Sequence, residues 1–327
     1  MTLHPAVAKA LLAAGLDPGD TERAVRAALD EDFRYGPDAT SAATVGSNAV
    51  GVASVVARQP GVLAGVPVAL AVLDAAGVAP QSAESPRYDT AKIGPGDEVL
   101  RITAPLRALL GAERTLLNFM THLSGIATCT RAWADAVAGT GARVRDTRKT
   151  TPGLRQLEKY AVRCGGGTNH RLGLGDAALI KDNHVAAAGG VAAAIAAVRA
   201  AAPRLPLEVE CDTLEQVAEA LAAGAGLILL DNMSLAGLRA AVAMARRRPG
   251  VRLEASGGLR LAEARAVAQT GVDYLAVGAL THSSPALDLG LDLPGPAGPA
   301  GATGAARGAG RAGAVGADSG GLSGGQG

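Results

Sequence analysis

Cysteine, net charge and long hydrophobic runs are all scarce in this chain, and each shortage removes a class of protein. Its 327 residues include three cysteines, Cys129, Cys164 and Cys211. An odd number without metal-ligand spacing argues against a disulfide framework or a zinc ribbon and fits a reducing compartment, with the thiols as small core residues. Thirty-one Lys+Arg against thirty Asp+Glu leave a formal charge of +1. That balance gives no general basic field for nucleic acid or a membrane surface, so electrostatic attraction has to be local. The apolar stretch from Val185 to Val198 is shorter than the roughly 20 residues of a membrane span, and the alanine-rich N-terminus has no hydrophobic segment leading to a cleavage site. A soluble, cytoplasmic protein without a nucleic-acid or membrane partner is expected. There is no GK[ST] ending of the Walker type. Gly173-Leu174-Gly175 comes before an apolar run, where a dinucleotide fingerprint would follow one.

What is present is a repeating pattern. From Arg143 onward six short apolar runs, RVRD, AALIK, LEVEC, LILLD, RLEAS and YLAVG, each precede a helix-like segment, as at Leu214 to Ala223, Leu235 to Arg247 and Leu261 to Thr270. Such units predict a parallel sheet covered by helices. Polar residues gather at the C-terminal ends of those runs: Asp146 to Lys149, Lys181 to His184, Glu210, Asp231, Ser256 and Gly278. In a barrel all these ends meet at one mouth, whereas an open doubly wound sheet would use chiefly those beside its switch point. An incomplete α/β barrel of parallel strands is therefore expected. Before Arg143, Asn48 to Gln59 and Glu98 to Thr103 read as strands of a half-exposed sheet, Val66 to Ala76 as a helix packed on it, and Glu113 to Val137 as a long connecting helix. The predicted domains are an α/β sandwich over residues 1 to 115 and a barrel over 116 to 285. The Gly-, Ala- and Pro-rich tail over 294 to 327 has nothing from which to build a core and is expected to be disordered.

The densest stretch of cations and glycines runs from Arg145 to His184. Arg148 and Lys149 follow a strand and precede Pro152, which suits a first helical turn. Gly165 to Gly167 would let backbone approach a ligand, with donors at Asn169, His170 and Arg171 directly after. Lys181, ending AALI, is expected to be buried, a costly position unless an anion or carboxylate partners it; Glu210 and Asp231 are the candidates. Those two carboxylates suit Mg²⁺ beside a phosphorylated substrate. Ser256-Gly257-Gly258 and Gly278 sit where barrels form phosphate cradles from backbone N–H groups. His122 is read as a packing or capping residue, and His184 as lying behind the ligand-contacting groups.

These residues resemble a known family. ERTLLNFMTHLSGIAT, the block from DTRKT to KDNH, LEVE, LLDNM, EASGG and VDYLAVGALTHSSPALDLGLDL are similar to quinolinate phosphoribosyltransferases, over about Ala28 to Leu293. The resemblance implies a type II phosphoribosyltransferase fold, an N-terminal α/β sandwich followed by an open barrel, with residues 286 to 293 returning to the first sheet. It implies transfer of the phosphoribosyl group of phosphoribosyl pyrophosphate (PRPP) to quinolinate, with release of pyrophosphate and CO₂ and with Mg²⁺, in NAD synthesis. It implies at least a homodimer in which Arg114 enters the partner's site. Arg148, His170 and Arg171 should hold the quinolinate carboxylates and Lys149 and Lys181 should face the substrates. Glu210 and Asp231 should meet the ribose hydroxyls and metal, and Ser256, Gly257, Gly258 and Gly278 the 5′-phosphate. Two alternatives stand beside this reading: a paralogue using nicotinate or associated with molybdenum transport, and a Schiff-base aldolase using Lys181. A non-catalytic binding protein is a third.

Overall fold

Alternation along Val50–Ala57 buries Ala53, Val55 and Ala57 and leaves the residues between them more exposed, the period-two signature of a sheet with one covered face. The computed structural model describes residues 3–294; the tail expectation falls outside them. In chain order the strands are β1 (Val50–Ala57), β2 (Gly61–Val62), β3 (Ala83–Glu84), β4 (Lys92–Ile93), β5 (Glu98–Pro105), β6 (Arg143–Arg145), β7 (Ala178–Ile180), β8 (Leu207–Cys211), β9 (Leu227–Asp231), β10 (Arg252–Ser256), β11 (Tyr274–Ala276) and β12 (Leu289–Asp292). The helices are α1 (Pro5–Ala13), α2 (Pro18–Asp32), α3 (Ala39–Thr44), α4 (Val66–Ala75), α5 (Leu106–Val137), α6 (Arg155–Cys164), α7 (Asp182–Ala188), α8 (Val191–Ala201), α9 (Leu214–Ala222), α10 (Leu235–Ala245), α11 (Ala264–Ala268) and α12 (Ala279–His282).

β1 lies inside a four-stranded sheet ordered β12-β1-β5-β3. It pairs antiparallel with β5 and with β12, where Ser54 faces Asp292 and Ala57 faces Leu289. The LDLGLDL segment does return to this sheet. α4 packs against α5, α2 and α1, and its Val66, Val68, Ala69, Ala71, Val72 and Leu73 are all buried.

α5 joins the two halves. Leu109, Ala112, Leu116, Phe119, Leu123, Ile126, Thr130, Trp133 and Val137 recur at steps of three and four and are all buried, the spacing of one helical face. Leu117, Met120 and Ala127 bury a second face. The helix begins seven residues earlier than the predicted Glu113, directly after Pro105. Gly111 lies within it, with Phe33 Cζ 3.1 Å from where a Cβ would stand.

The second sheet has six strands in the order β6-β11-β10-β9-β8-β7, every pair parallel. β6 and β7 are its two ends and do not pair, so the barrel is open. An isolated bridge joins Arg145 to Thr168 on the free side of β6. Among the described residues no single helix is long and apolar enough to cross a membrane.

Two local expectations fail for steric reasons. Gly165 and Gly167 do not bring backbone to a ligand. A Cβ on Gly165 would lie 2.4 Å from the Ala127 carbonyl oxygen, and one on Gly167 2.7 Å from Val162 Cγ1 and 2.8 Å from Thr130 Cγ2. Both glycines let the end of α6 lie against α5. Pro152 sits in the turn ahead of α6 and not in its first turn; the left-handed Gly153 (φ 80°) delays the helix to Arg155.

Candidate active site

Asp146, directly after β6, is wholly buried. One oxygen accepts from Lys159 Nζ and, at 2.8 Å, from the backbone N–H of His170, and the other accepts from Asn169 Nδ2. Lys159, on the inner side of α6, also donates to the His170 carbonyl at 3.1 Å. A single carboxylate therefore fastens the strand end bearing Arg148 and Lys149 to the segment bearing His170 and Arg171.

Beside this anchor is a cavity of about 370 Å³ lined by Thr147, Arg148, Lys149, His170, Arg171, Leu179, Lys181, Glu210, Leu229, Asp231, Glu254, Ser256 and Ala276. These come from the C-terminal ends or flanks of all six strands, the convergence expected of a barrel mouth. Larger clefts of about 690 and 580 Å³ run along α2. In the first of these Arg23 is paired with Asp20, and Arg155 donates to Thr150 and to the Leu172 carbonyl. Unsatisfied charge, not size, distinguishes the barrel mouth.

The side chains of Arg148 and Lys149 have no hydrogen-bond or ion-pair partner among the described residues, and the buried Nε atoms of Arg148 and Arg171 are unpaired. Arg171 holds one bond, from Nη1 to the Ala177 carbonyl at 3.0 Å. Burial, and then the neighbouring charge of Arg148, shifts its pKa down. Two half-buried guanidinium groups side by side, with donors unused, are poised for an anion.

Lys181 is not buried as expected. β7 stops at Ile180, Lys181 caps α7, and its side chain is 48% exposed while Nζ donates to Glu210 Oε2 at 2.8 Å. Its expected carboxylate partner is thus present, at the rim. His184 accepts the Lys181 backbone N–H at 2.9 Å through Nδ1, and His122 lies 2.9 Å from Glu158.

At the last two strands the glycines differ in the space around them. Gly257 (φ 91°) admits no side chain, since a Cβ would lie 2.1 Å from Asn232 Oδ1. Asn232 itself has φ 53° and donates its N–H to the Ser256 carbonyl at 3.0 Å. Gly258 (φ 57°) has clear space, and a Cβ on Gly278 would press on Lys149 Cδ at 3.1 Å and His282 Nε2 at 3.2 Å.

Under the cavity lies a group that the sequence reading did not single out. His170 Nε2 is 2.7 Å from Glu208 Oε2 and 3.6 Å from Glu254 Oε1, and Glu254 is paired with Arg145. His170 Nδ1 accepts the Arg171 backbone N–H at 2.8 Å, so both ring nitrogens are engaged within the chain. Burial, and then Glu208, pushes the Glu254 carboxyl up to about 7. Glu208 in LEVEC and Glu254 in RLEAS sit two residues before Glu210 and Ser256, on the same inward face of their strands. That alternation was the available signal. Asp146 and Asn232 stood among the polar residues at the strand ends, whereas Lys159 and His282 left no signal in the sequence.

Arg114 is the one expected site residue that a single chain does not bring near the cavity. It is exposed on α5 and has no hydrogen-bond or ion-pair partner among the described residues, lining a separate hollow with Asp32, Phe33 and Asp38.

An open parallel barrel with unpaired cations facing two carboxylates and a glycine-rich turn at its mouth defines an enzyme for a phosphorylated, multiply anionic substrate. The family models place it further: quinolinate phosphoribosyl transferase N-terminal and C-terminal domains match residues 38–124 and 126–292. The chain belongs to that family. It is 58% identical over 273 residues to the nicotinate-nucleotide pyrophosphorylase [carboxylating] of Mycobacterium leprae, covering 82% of this chain and 95% of that one. It is 38% identical to the human protein of that name, covering 79% and 87%. The solved nicotinate-nucleotide pyrophosphorylase of Francisella tularensis superposes with a TM-score of 0.78 at 35% identity, over 84% of this chain and 96% of that one.

Proposed function

We propose that this cavity transfers the phosphoribosyl group of PRPP to quinolinate and releases pyrophosphate and CO₂, giving nicotinate mononucleotide for NAD biosynthesis in the cytoplasm. One observation carries the reading: Arg148, Lys149 and Arg171, none with a carboxylate partner among the described residues, share a cavity with Glu210 and Asp231.

Quinolinate presents adjacent carboxylates on a flat ring. Guanidinium forks can grip such groups bidentately and fix the ring's direction, each charged bond contributing roughly 1.5–3 kcal/mol. Arg148 and Arg171 supply two forks, and Arg114 of a second subunit supplies another in a homodimer or larger assembly. His170 lines the same wall. The ring nitrogen is then aimed at C1 of the ribose, and the collision becomes an oriented displacement. Lys149 and Lys181 offset the charge growing on the departing pyrophosphate, while Glu210 and Asp231 face the ribose, where positive character develops. Ser256, Gly257, Gly258 and Gly278 face the 5′-phosphate, with clear space beside Gly258.

The oxygen donors of Glu210 and Asp231 suit Mg²⁺, and the bound ion supplies neutralisation of the diphosphate oxygens. Once alkylated, the ring nitrogen is a pyridinium that stabilises the electron pair left at the adjacent carbon as CO₂ departs. The imine-forming alternative asks Lys181 for a neutral amine in a dry pocket, whereas Lys181 is half exposed and paired with Glu210.

The test is CO₂ release from carboxyl-labelled quinolinate. Release that requires both PRPP and Mg²⁺, with nicotinate giving no nucleotide, is expected. Consumption of nicotinate in place of quinolinate would overturn the reading.

A further inference from the structure

The contacts behind the substrate wall run in one direction. The Arg171 backbone N–H donates to His170 Nδ1 at 2.8 Å, so that nitrogen presents a lone pair and carries no proton. A neutral imidazole then keeps its hydrogen on Nε2, where Oε2 of Glu208 is the nearest acceptor at 2.7 Å and Oε1 of Glu254 is farther, at 3.6 Å. His170 is 9% exposed and Glu208 4%, which leaves little room for water to replace either contact.

We propose that Glu208 is a positioning residue for the quinolinate site: its carboxylate holds the Nε2 side of His170 and so keeps Nδ1 on the backbone N–H of Arg171, from which the arginine side chain enters the cavity. The inference rests on the substrate reading above. Arg171 requires a hold of this kind. Its Nε is buried and unpaired, and its one side-chain bond is at the far end of the guanidinium, to the Ala177 carbonyl. The like charge of Arg148 stands beside it. Glu254 is less able to fix the ring, because its other oxygen is committed to Arg145.

A glutamine at position 208 keeps the volume but can turn an amide N–H toward Nε2. The ring hydrogen then moves to Nδ1, where it meets the Arg171 N–H head on, and the arginine is released from its line. Glu208 therefore acts on substrate only through two other residues, and its loss should be felt by quinolinate and not by PRPP.

The experiment uses the full chain with ¹⁵N-labelled histidine, the His170 signals being assigned by their loss in His170→Gln. In the wild-type protein near neutral pH the hydrogen is expected on Nε2 alone. In Glu208→Gln the ring nitrogens should shift toward the other tautomer. The KM for quinolinate should rise about tenfold or more, the size of one lost charge-assisted bond, with the KM for PRPP within about twofold. A wild-type ring carrying hydrogen on Nδ1, or a folded Glu208→Gln with an unchanged quinolinate KM, overturns the proposal. Should Glu208→Gln not fold, the wild-type ring measurement decides alone. Failure of the substrate reading looks different: wild-type protein that releases no CO₂ from quinolinate while the ring still holds the expected tautomer.

Discussion

Lys159 and Asp146 form an ion pair with both side chains wholly excluded from solvent, and the two cation-bearing segments of the cavity are joined through it. Burial draws the Lys159 pKa down while Asp146 pulls the other way. Lys159→Met leaves Asp146 buried without its counter-charge, which should cost about 3–5 kcal/mol of stability. Chemical denaturation measures this. A loss under about 1 kcal/mol would mean that the pair is not the anchor described.

Gly165 separates packing from flexibility. Its φ of −77° is ordinary for alanine, so Gly165→Ala acts only through the Cβ placed 2.4 Å from the Ala127 carbonyl. A destabilisation of about 1–3 kcal/mol is expected from such overpacking. Gly175→Ala, with nothing within 4 Å of its Cβ position, should leave thermal stability nearly unchanged. Equal effects at the two positions would contradict the contact with α5.

Glu254 ties stability to pH. Its carboxyl rises from an ordinary 4.5 to about 7, so between those values the folded protein holds a proton that the unfolded chain has lost. This contribution is full below 4.5 and is lost as pH rises through about 7. Asp89, half-buried beside Tyr160 and raised to about 6, adds in the same direction. The stability gap between wild type and Glu254→Gln should therefore favour wild type more at pH ~5 than at pH ~8. The reverse order in denaturation at the two pH values would refute the assignment.

Lys181→Ala should lower kcat by on the order of 10²-fold or more, the effect of removing one electrostatic stabiliser. If the proposed dimer shares its sites, Arg114→Ala should be inactive by itself yet recover part of its activity when mixed with Lys181→Ala, because a hybrid would carry one site with both groups intact. Steady-state rates of the mixtures against the separate variants give the answer. No recovery between exchanging subunits counts against a shared site.

Much of this was legible in the chain. The six barrel strands and the polar residues at their ends follow from short apolar runs that can only be buried on both faces, and α5 from its steps of three and four. Less legible were contacts that depend on what lies opposite. Nothing in GGG distinguishes a ligand loop from helix packing until Ala127 and Thr130 are seen against it. Lys159 reads as an ordinary charge within α6, since its partner follows a strand thirteen residues away in sequence. Lys181 was expected to be buried because its run is apolar, but a strand ending one residue sooner puts it at the rim.

The last described strand has a consequence for how the protein is made. β12 pairs with β1 across more than two hundred residues of intervening chain, and its Leu289 is part of the core. The first sheet to be translated thus keeps a bare edge until residues 289–292 have left the ribosome, and a nascent chain stalled before residue 289 would expose that edge to other strands.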